Sequence, residues 1–176
     1  MSTQPWHRRQ EIPDPQIRDA ANQFESARQL LWCLAQWRPG SGLLYPLMNT
    51  ASVAIELYLK CLSAEKVYTE AEGGWSKVSA KPQRGHGLTM LLDEVEGGLG
   101  TELDRAFLGD HSAFGCLSFR TALEQCEGTF ERSRYPFETA GRHNLSQCPL
   151  DLLMACSHFL QQFVARLDTT ETIQWK

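Results

Sequence analysis

The sequence between residues 51 and 66 reads ASVAIELYLKCLSAEK, and this stretch decides the fold. Apolar side chains recur there at helical spacing and cover most of the circumference, which is typical of a central helix with neighbours on several sides. We predict this helix over about residues 47–66. One narrow polar line interrupts its apolar surface and contains Asn49, Ser52, Glu56, Lys60 and Ser63.

The polar line on this helix has two interpretations. In the first, the line faces water, and Glu56 and Lys60 form an i,i+4 ion pair worth about 0.3–0.5 kcal/mol. In the second, the line borders a cleft, where both charges need partners because burying an unpaired charge is unfavourable. The helix pattern alone leaves both interpretations open.

The composition indicates a globular chain. Its 176 residues are 42% hydrophobic and 22% charged, and the formal net charge is -4 with a pI near 5.7. This balance argues against a protein that coats nucleic acid non-specifically, because such a protein needs a broad basic surface. We expect no secretory leader, and no apolar run in the sequence reaches membrane-spanning length, so we expect a cytoplasmic protein without a membrane partner.

The six cysteines are spread along the chain without a C-x-x-C pair. Because most of them fall within apolar helical stripes, we expect buried free thiols rather than disulfides or a structural zinc site. The phosphate-binding loop, the nucleophile elbow and the H-E-x-x-H pair are also missing from the sequence. We therefore expect no metal and no cofactor.

The periodicity predicts an all-α, up-and-down bundle of four long helices, with one or two short helices inserted after the second. Asp14 followed by Pro15 is typical of an N-cap and a first helical residue, so the first helix is expected from there to about Trp37. We expect a flexible N-terminal arm, a single helical-bundle domain and a C-terminal tail, over residues 1–13, 14–168 and 169–176 respectively.

The rest of the chain divides by the same signals. Residues 67–87 contain four glycines and no periodicity, which predicts a long exposed loop. Leu88 should begin a short helix, and TELD from Thr101 resembles a capping box that opens another. A long helix is expected over about residues 112–130, and Pro149 should open the last one.

Three short motifs in this order resemble the HEPN superfamily, which comprises small all-helical domains associated with nucleotides and RNA. They are A-x-E-x-x-L-K, G-H-x-L and R-Y-P, and they fall at Ala54, Glu56, Leu59 and Lys60, at Gly85, His86 and Leu88, and at Arg134, Tyr135 and Pro136. The resemblance implies a four-helix core, a homodimer, and a place in bacterial defence, toxin-antitoxin or related systems. It also implies binding of RNA or nucleotide, or regulation of a partner protein that does so.

The catalytic branch of that superfamily consists of metal-independent ribonucleases with an R-x4-6-H motif. Histidine can transfer a proton near neutral pH, while arginine stabilises the charge that develops on a transferring phosphoryl group. In this sequence Arg105 and His111 match the spacing, and Arg142 and His143 are adjacent in a polar loop. Arg105 and His111 precede the fourth long helix, whereas the family motif opens a late helix. We therefore favour a binding domain over a ribonuclease.

The motif residues define a predicted polar cluster of Glu56, Lys60, His86, Arg134 and Tyr135. We expect the planar guanidinium of Arg134 to reach back to the Glu56 carboxylate. Three roles stay open for the cluster: an ion-pair lock that holds the bundle, a site that contacts phosphate or nucleotide, and catalysis.

Tryptophans offer a candidate surface for a second copy or a partner. Trp32, Trp37 and Trp75 are the residues that we expect there. A purely structural dimeric scaffold is therefore a further alternative to a binding domain.

Overall fold

The computed structural model describes residues 6–71, 74–81, 85–95, 98–110, 117–134 and 149–175. The helices are α1 (Pro15–Trp37), α2 (Leu44–Cys61), α3 (Leu88–Asp93), α4 (Leu99–Asp110), α5 (Phe119–Cys126), α6 (Thr129–Arg134) and α7 (Leu150–Ala165). The strands are β1 (Trp6–Ile12), β2 (Glu65–Ala71), β3 (Gly74–Lys81) and β4 (Thr170–Trp175). The mostly helical character that the periodicity predicts is confirmed.

The helix α2 occupies the centre of the core, as its apolar circumference predicts. Ala51, Ala54, Ile55 and Leu59 are fully buried, and α2 contacts α1, α3, α6 and α7. A cluster of aromatic rings from α4, α5 and α7 extends the core, with Phe107, Phe119 and Phe159 packed at 5.1–5.3 Å between ring centroids. These contacts explain why α2 needs apolar side chains on nearly every side.

A partly buried hydrogen bond joins α1 to α2. The Tyr58 hydroxyl donates to Asn22 Oδ1 at 2.7 Å. Burial, followed by the charge of Glu25, raises the pKa of the Tyr58 phenol well above its ordinary value. The phenol is therefore a permanent donor, and the polar contact fits inside an otherwise apolar interface.

A four-stranded antiparallel sheet, with the order β3-β2-β1-β4, accompanies the helices. The all-α prediction is wrong in this respect. Residues 6–12, expected in a flexible arm, form an inner strand; residues 170–175, expected in a tail, form an edge strand; and most of the expected 67–87 loop forms β2 and β3. The strand β1 pairs with β2 and β4, which lie far away along the chain, and such long-range pairing leaves no local signal in the sequence.

Polar contacts replace apolar ones where β1 meets its neighbours. Arg9 on β1 contacts the Glu171 carboxylate of β4 at 2.9 Å and Glu11 of its own strand at 2.6 Å. Cross-strand pairs of opposite charge contribute modestly to such a sheet. A sequence pattern with this polarity resembles a solvated arm, which is why the strand was not predicted.

The helix boundaries differ from the predictions in three places. The long helix expected over residues 112–130 is divided into α5 and α6 at Gly128, whose φ of +70° favours glycine; residues 111–116 lie outside the described part of the chain. Helix α2 ends at Cys61 rather than Lys66. Helix α4 begins at Leu99, and the Glu102 amide donates to the Gly98 carbonyl, so Thr101 is not its N-cap.

Asp14 is the junction between the helices and the sheet. Its Oδ1 accepts from the amides of Gln16 and Ile17 at 3.0 and 3.1 Å, which confirms the predicted N-cap of α1. Its own amide donates to the carbonyl of Cys61 at the end of α2, at 2.7 Å. Its Oδ2 contacts the Lys66 ammonium of β2 at 2.6 Å.

The Lys66 ammonium is buried in this junction. Burial lowers its pKa, but the hydrogen bond and charge of Asp14, followed by those of Glu11, outweigh that effect and raise the pKa above 10.5. Because its pKa is raised, the Lys66 ammonium contributes stability below the ordinary lysine pKa of 10.5, and this contribution is lost as the pH rises through the folded-state value.

Three of the four described cysteines are buried as predicted, and one is not. Cys61, Cys126 and Cys156 are buried free thiols, whereas Cys33 is exposed. Burial, followed by the nearby Asp14 carboxylate, raises the pKa of the Cys61 thiol to about 12. A hydrogen bond with Cys126, together with burial, raises the pKa of Cys156 well above its ordinary value. The thiols of Cys61 and Cys156 are therefore held in their unreactive protonated form.

We predict that Asp14→Ala lowers the free energy of unfolding by about 2 kcal/mol, because α1 loses its N-cap and a buried ammonium loses its closest partner. Urea unfolding followed by circular dichroism measures this change. Asp19→Ala, which removes an exposed carboxylate from the same helix, is the control and should stay within about 0.5 kcal/mol of the parent. Equal stability of the two variants would contradict the role of Asp14.

Candidate functional site

The polar line of α2 borders a cavity, which decides between its two interpretations. Glu56 is 8% exposed, and its two carboxylate oxygens have different partners. Oε1 accepts from Lys60 Nζ at 2.6 Å, and Oε2 lies 3.0 Å from His86 Nδ1. Ser52, one turn earlier on the line, is also buried and donates to the Met48 carbonyl. The line therefore has protein partners instead of facing bulk water.

His86 lies in the short segment that leads into α3. Gly85, with a φ of +125°, precedes it, and the imidazole stacks on the Phe130 ring of α6 with centroids 5.5 Å apart. Its side chain is 60% exposed. Because the buried carboxylate accepts from Nδ1, the neutral imidazole presents Nε2 as an acceptor. Within the described part of the chain, no hydrogen-bond partner contacts that Nε2.

A second carboxylate, Glu127, organises the opposite wall. It accepts from the Leu88 and Thr89 amides at 3.1 and 3.2 Å and from the Thr89 hydroxyl at 3.3 Å. These amides are among the first of α3 and have no partner within that helix. Glu127 thus fixes the position of α3, and the His86 segment with it, relative to the end of α5.

The cavity enclosed by these groups has a volume of about 270 Å³. Its walls come from α2, from the segment leading into α3, and from the junction between α5 and α6. The lining residues are Ser52, Glu56, His86, Gly87, Leu88, Cys126, Glu127, Gly128, Thr129 and Phe130.

The electrostatics of the cavity are those of a polar site without a strong net charge. Both carboxylates accept hydrogen bonds from protein groups, and Lys60 lies beside Glu56. Neither lysine nor arginine occurs among the described lining residues. The hydrogen-bonding position left for a ligand is therefore the Nε2 of His86. It can accept from a hydroxyl or amine or, when protonated, donate to an oxygen.

The structure brings together three of the five residues predicted for the polar cluster, namely Glu56, Lys60 and His86. Arg134 is the last residue of α6, which packs against α2, but its side chain lies outside the described part of the chain. Tyr135 also lies outside it. The expected contact between Arg134 and Glu56 therefore stays a prediction.

The catalytic candidates are not brought together among the described residues. Arg105 is exposed on α4 and does not line the cavity, while His111, Arg142 and His143 lie outside the described part. Two wall residues, Glu127 and Phe130, were not predicted. Phe130 ends the long helix expected over residues 112–130, and nothing in its sequence neighbourhood indicates that it would stack on His86.

The chain was compared with known proteins in three ways. No family model, curated protein or solved structure matches it. None of the described helices combines the length and apolar character that crossing a membrane requires. Across the same residues, histidine, cysteine and carboxylate side chains form no group of three or more suited to holding a metal ion.

We predict that Glu56→Gln lowers the free energy of unfolding by about 1–3 kcal/mol, because the charge is lost and one of the two acceptor oxygens becomes an NH2 group that faces Lys60 or His86. Thermal unfolding followed by calorimetry measures the change. The matched control is Glu102→Gln, which neutralises an exposed carboxylate on α4. An unchanged melting temperature for both variants would show that the buried carboxylate does not hold the bundle together.

Proposed function

We propose that this chain is a HEPN-like domain, with its helices arranged as an up-and-down bundle, that binds a nucleotide or RNA at the cavity beside Glu56. The observation that carries the proposal is the Lys60–Glu56–His86 hydrogen-bonded series, which ends in an exposed imidazole stacked on Phe130. This series coincides with the order of motifs that resembles the superfamily. A buried carboxylate that fixes an exposed imidazole supports recognition, because the ring is held before a ligand arrives.

The charges of the cavity support entry of a base or ribose rather than a phosphate. Its described walls include two carboxylates and neither lysine nor arginine. A phosphate dianion would meet these carboxylates, whereas a base or a ribose hydroxyl would meet the Nε2 of His86. With about 270 Å³, the cavity lies near the lower limit of ligand pockets, which suits one such group and not a folded oligonucleotide.

The test is titration of the purified full chain with adenosine, AMP and a fluorescently labelled RNA of mixed sequence. We expect His86→Ala to weaken each interaction about tenfold, since one hydrogen bond and the imidazole surface are lost. Gln125→Ala, which truncates an exposed neutral side chain on α5, is the control and should bind as the parent does. Similar affinities for adenosine and AMP are expected if the base or the ribose, and not the phosphate, enters the cavity.

The same RNA reports on catalysis. Cleavage that disappears in His111→Ala or His143→Ala would replace the binding proposal by a metal-independent ribonuclease. Binding that is unchanged in His86→Ala would place the nucleotide site elsewhere and would contradict the role given to the cavity.

A structural scaffold is the second candidate, and the internal pairing of the carboxylates favours it. All four oxygens of Glu56 and Glu127 accept from groups of the chain, which is what a lock between α2, α3 and α5 requires. If neither adenosine, AMP nor RNA binds while Glu56→Gln destabilises the fold, the scaffold is the better description.

We infer that the outer face of α1 pairs with a second copy of the chain. Leu30, Leu34 and Trp37 are 67%, 47% and 72% exposed on that face. The charged residues of α1 between positions 20 and 37 are Glu25 and Arg28, which are buried and paired with each other. In a two-fold interface, side chains near the axis meet their own copies, so a face without charge avoids repulsion. Trp32 is half-buried, and the Trp75 side chain lies outside the described part.

Sedimentation velocity tests the dimer. Leu30→Glu places like charges near the proposed axis, so we expect the parent to sediment as a dimer and this variant to shift toward the monomer, with the Kd raised at least about tenfold. Gln125→Glu adds the same charge to the exposed side of α5 and should leave the dimer intact. A monomeric parent at all concentrations would contradict the inference.

A further inference from the structure

A second cavity, shallow and widely open to solvent, lies between α1 and α7, away from the nucleotide-binding site proposed above. Its volume is about 520 Å³, within the range of about 300–1,000 Å³ that ligand pockets occupy. The residues that line it are Arg28, Gln29, Trp32, Met154, Ala155 and His158. None of these residues belongs to the three motifs that resemble the HEPN superfamily.

The carboxylate beneath this cavity is saturated with donors. Glu25 is fully buried, and its oxygens accept from Arg28 Nε at 2.7 Å, from Arg28 Nη2 at 2.5 Å, from Ser157 Oγ at 2.5 Å and from Gln29 Nε2 at 3.2 Å. A carboxylate offers about four acceptor sites, so Glu25 has none left for a ligand. Its function is to hold the guanidinium in place.

The guanidinium, in contrast, is under-satisfied. Arg28 is 6% exposed, and its Nη1 has as its partner the Met154 sulfur at 3.6 Å, a weak acceptor. Among the described residues, no oxygen accepts from Nη1. The nearly buried guanidinium of Arg28 therefore lines the open cavity. Its Nε and Nη2 bind the Glu25 carboxylate, and its Nη1 is available as a donor.

His158 lines the same cavity and provides a second donor. The Gln162 amide nitrogen lies 2.9 Å from Nε2 of the ring and donates to it, so the proton of the neutral imidazole is on Nδ1. That Nδ1 lies 3.9 Å from Glu25 Oε1, which is beyond hydrogen-bonding distance. The His158 side chain is 47% exposed, so a ligand can reach it from solvent.

We propose that this cavity is a binding site for a small carboxylic acid with a planar apolar body. The carboxylate would accept from Arg28 Nη1 and His158 Nδ1, and the apolar body would pack against Trp32 and Met154. Charge favours a monoanion over a phosphate dianion, because the guanidinium of Arg28 is already paired with the buried Glu25, whose negative charge would repel a second charge on the ligand.

Nuclear magnetic resonance on the full chain tests the proposal, with phenylacetate as the probe and its neutral amide, phenylacetamide, as the matched control. The signal is the Trp32 indole N–H, assigned with Trp32→Phe. We expect a saturable shift with phenylacetate and an affinity about tenfold lower for phenylacetamide, because hydrogen bonds to charged groups exceed neutral ones by about 1 kcal/mol. Inorganic phosphate should leave the Trp32 signal unchanged.

Variants separate the site from the fold. His158→Ala truncates an exposed side chain and should weaken phenylacetate binding at least about threefold, while Gln125→Ala should not change it. Equal affinities for the acid and the amide would overturn the proposal, as would a Trp32 signal that does not respond to phenylacetate or that responds equally in His158→Ala. The nucleotide titration reports on His86, and the phenylacetate titration reports on Trp32. Either proposal can therefore be contradicted while the other stands.

Discussion

The fold depends on burying one carboxylate, Asp14, between the sheet and the helices. Asp14 caps α1, receives the ammonium of Lys66 from β2, and donates its amide to Cys61 at the last turn of α2. A carboxylate with 1% exposure is stable only when such donors surround it. The ion pair therefore fixes where β1 ends, where α1 begins and where α2 must stop, and all three elements meet at this residue.

This junction also explains how an apolar helix keeps polar groups. The C-terminal end of α2 contacts Asp14, and its sides are covered by α1, α3, α6 and α7. The Glu56 carboxylate is therefore accessible mainly from the side of the His86 segment. The carboxylate is too enclosed for full hydration, so it must take donors from the chain. Lys60 comes from the next turn of the same helix, whereas His86 comes from 30 residues away.

The features that could be predicted from the sequence are those whose partners lie close together along the chain. The Asp14–Pro15 start of α1, the central position of α2 and the Glu56–Lys60 pair are local signals, and all are found in the structure. The sheet is not local, because β1 pairs with segments near both the middle and the end of the chain. The wall formed by Glu127 depends on amides 38 and 39 residues earlier. Neither the strand pairing nor the Glu127 contacts produce a periodic sequence pattern from which they could be predicted.

The two cavities share one physical origin. Glu56 and Glu25 are both buried carboxylates, and each is stabilised by donors that have more hydrogen-bonding capacity than one carboxylate can use. An imidazole that donates through Nδ1 still presents Nε2, and a guanidinium that binds a carboxylate through two nitrogens still presents the third. In a helical domain with a mostly apolar core, burying an acid therefore positions an outward-facing polar group beside it. That requirement of packing fixes the imidazole of His86 and the guanidinium of Arg28 beside the two cavities.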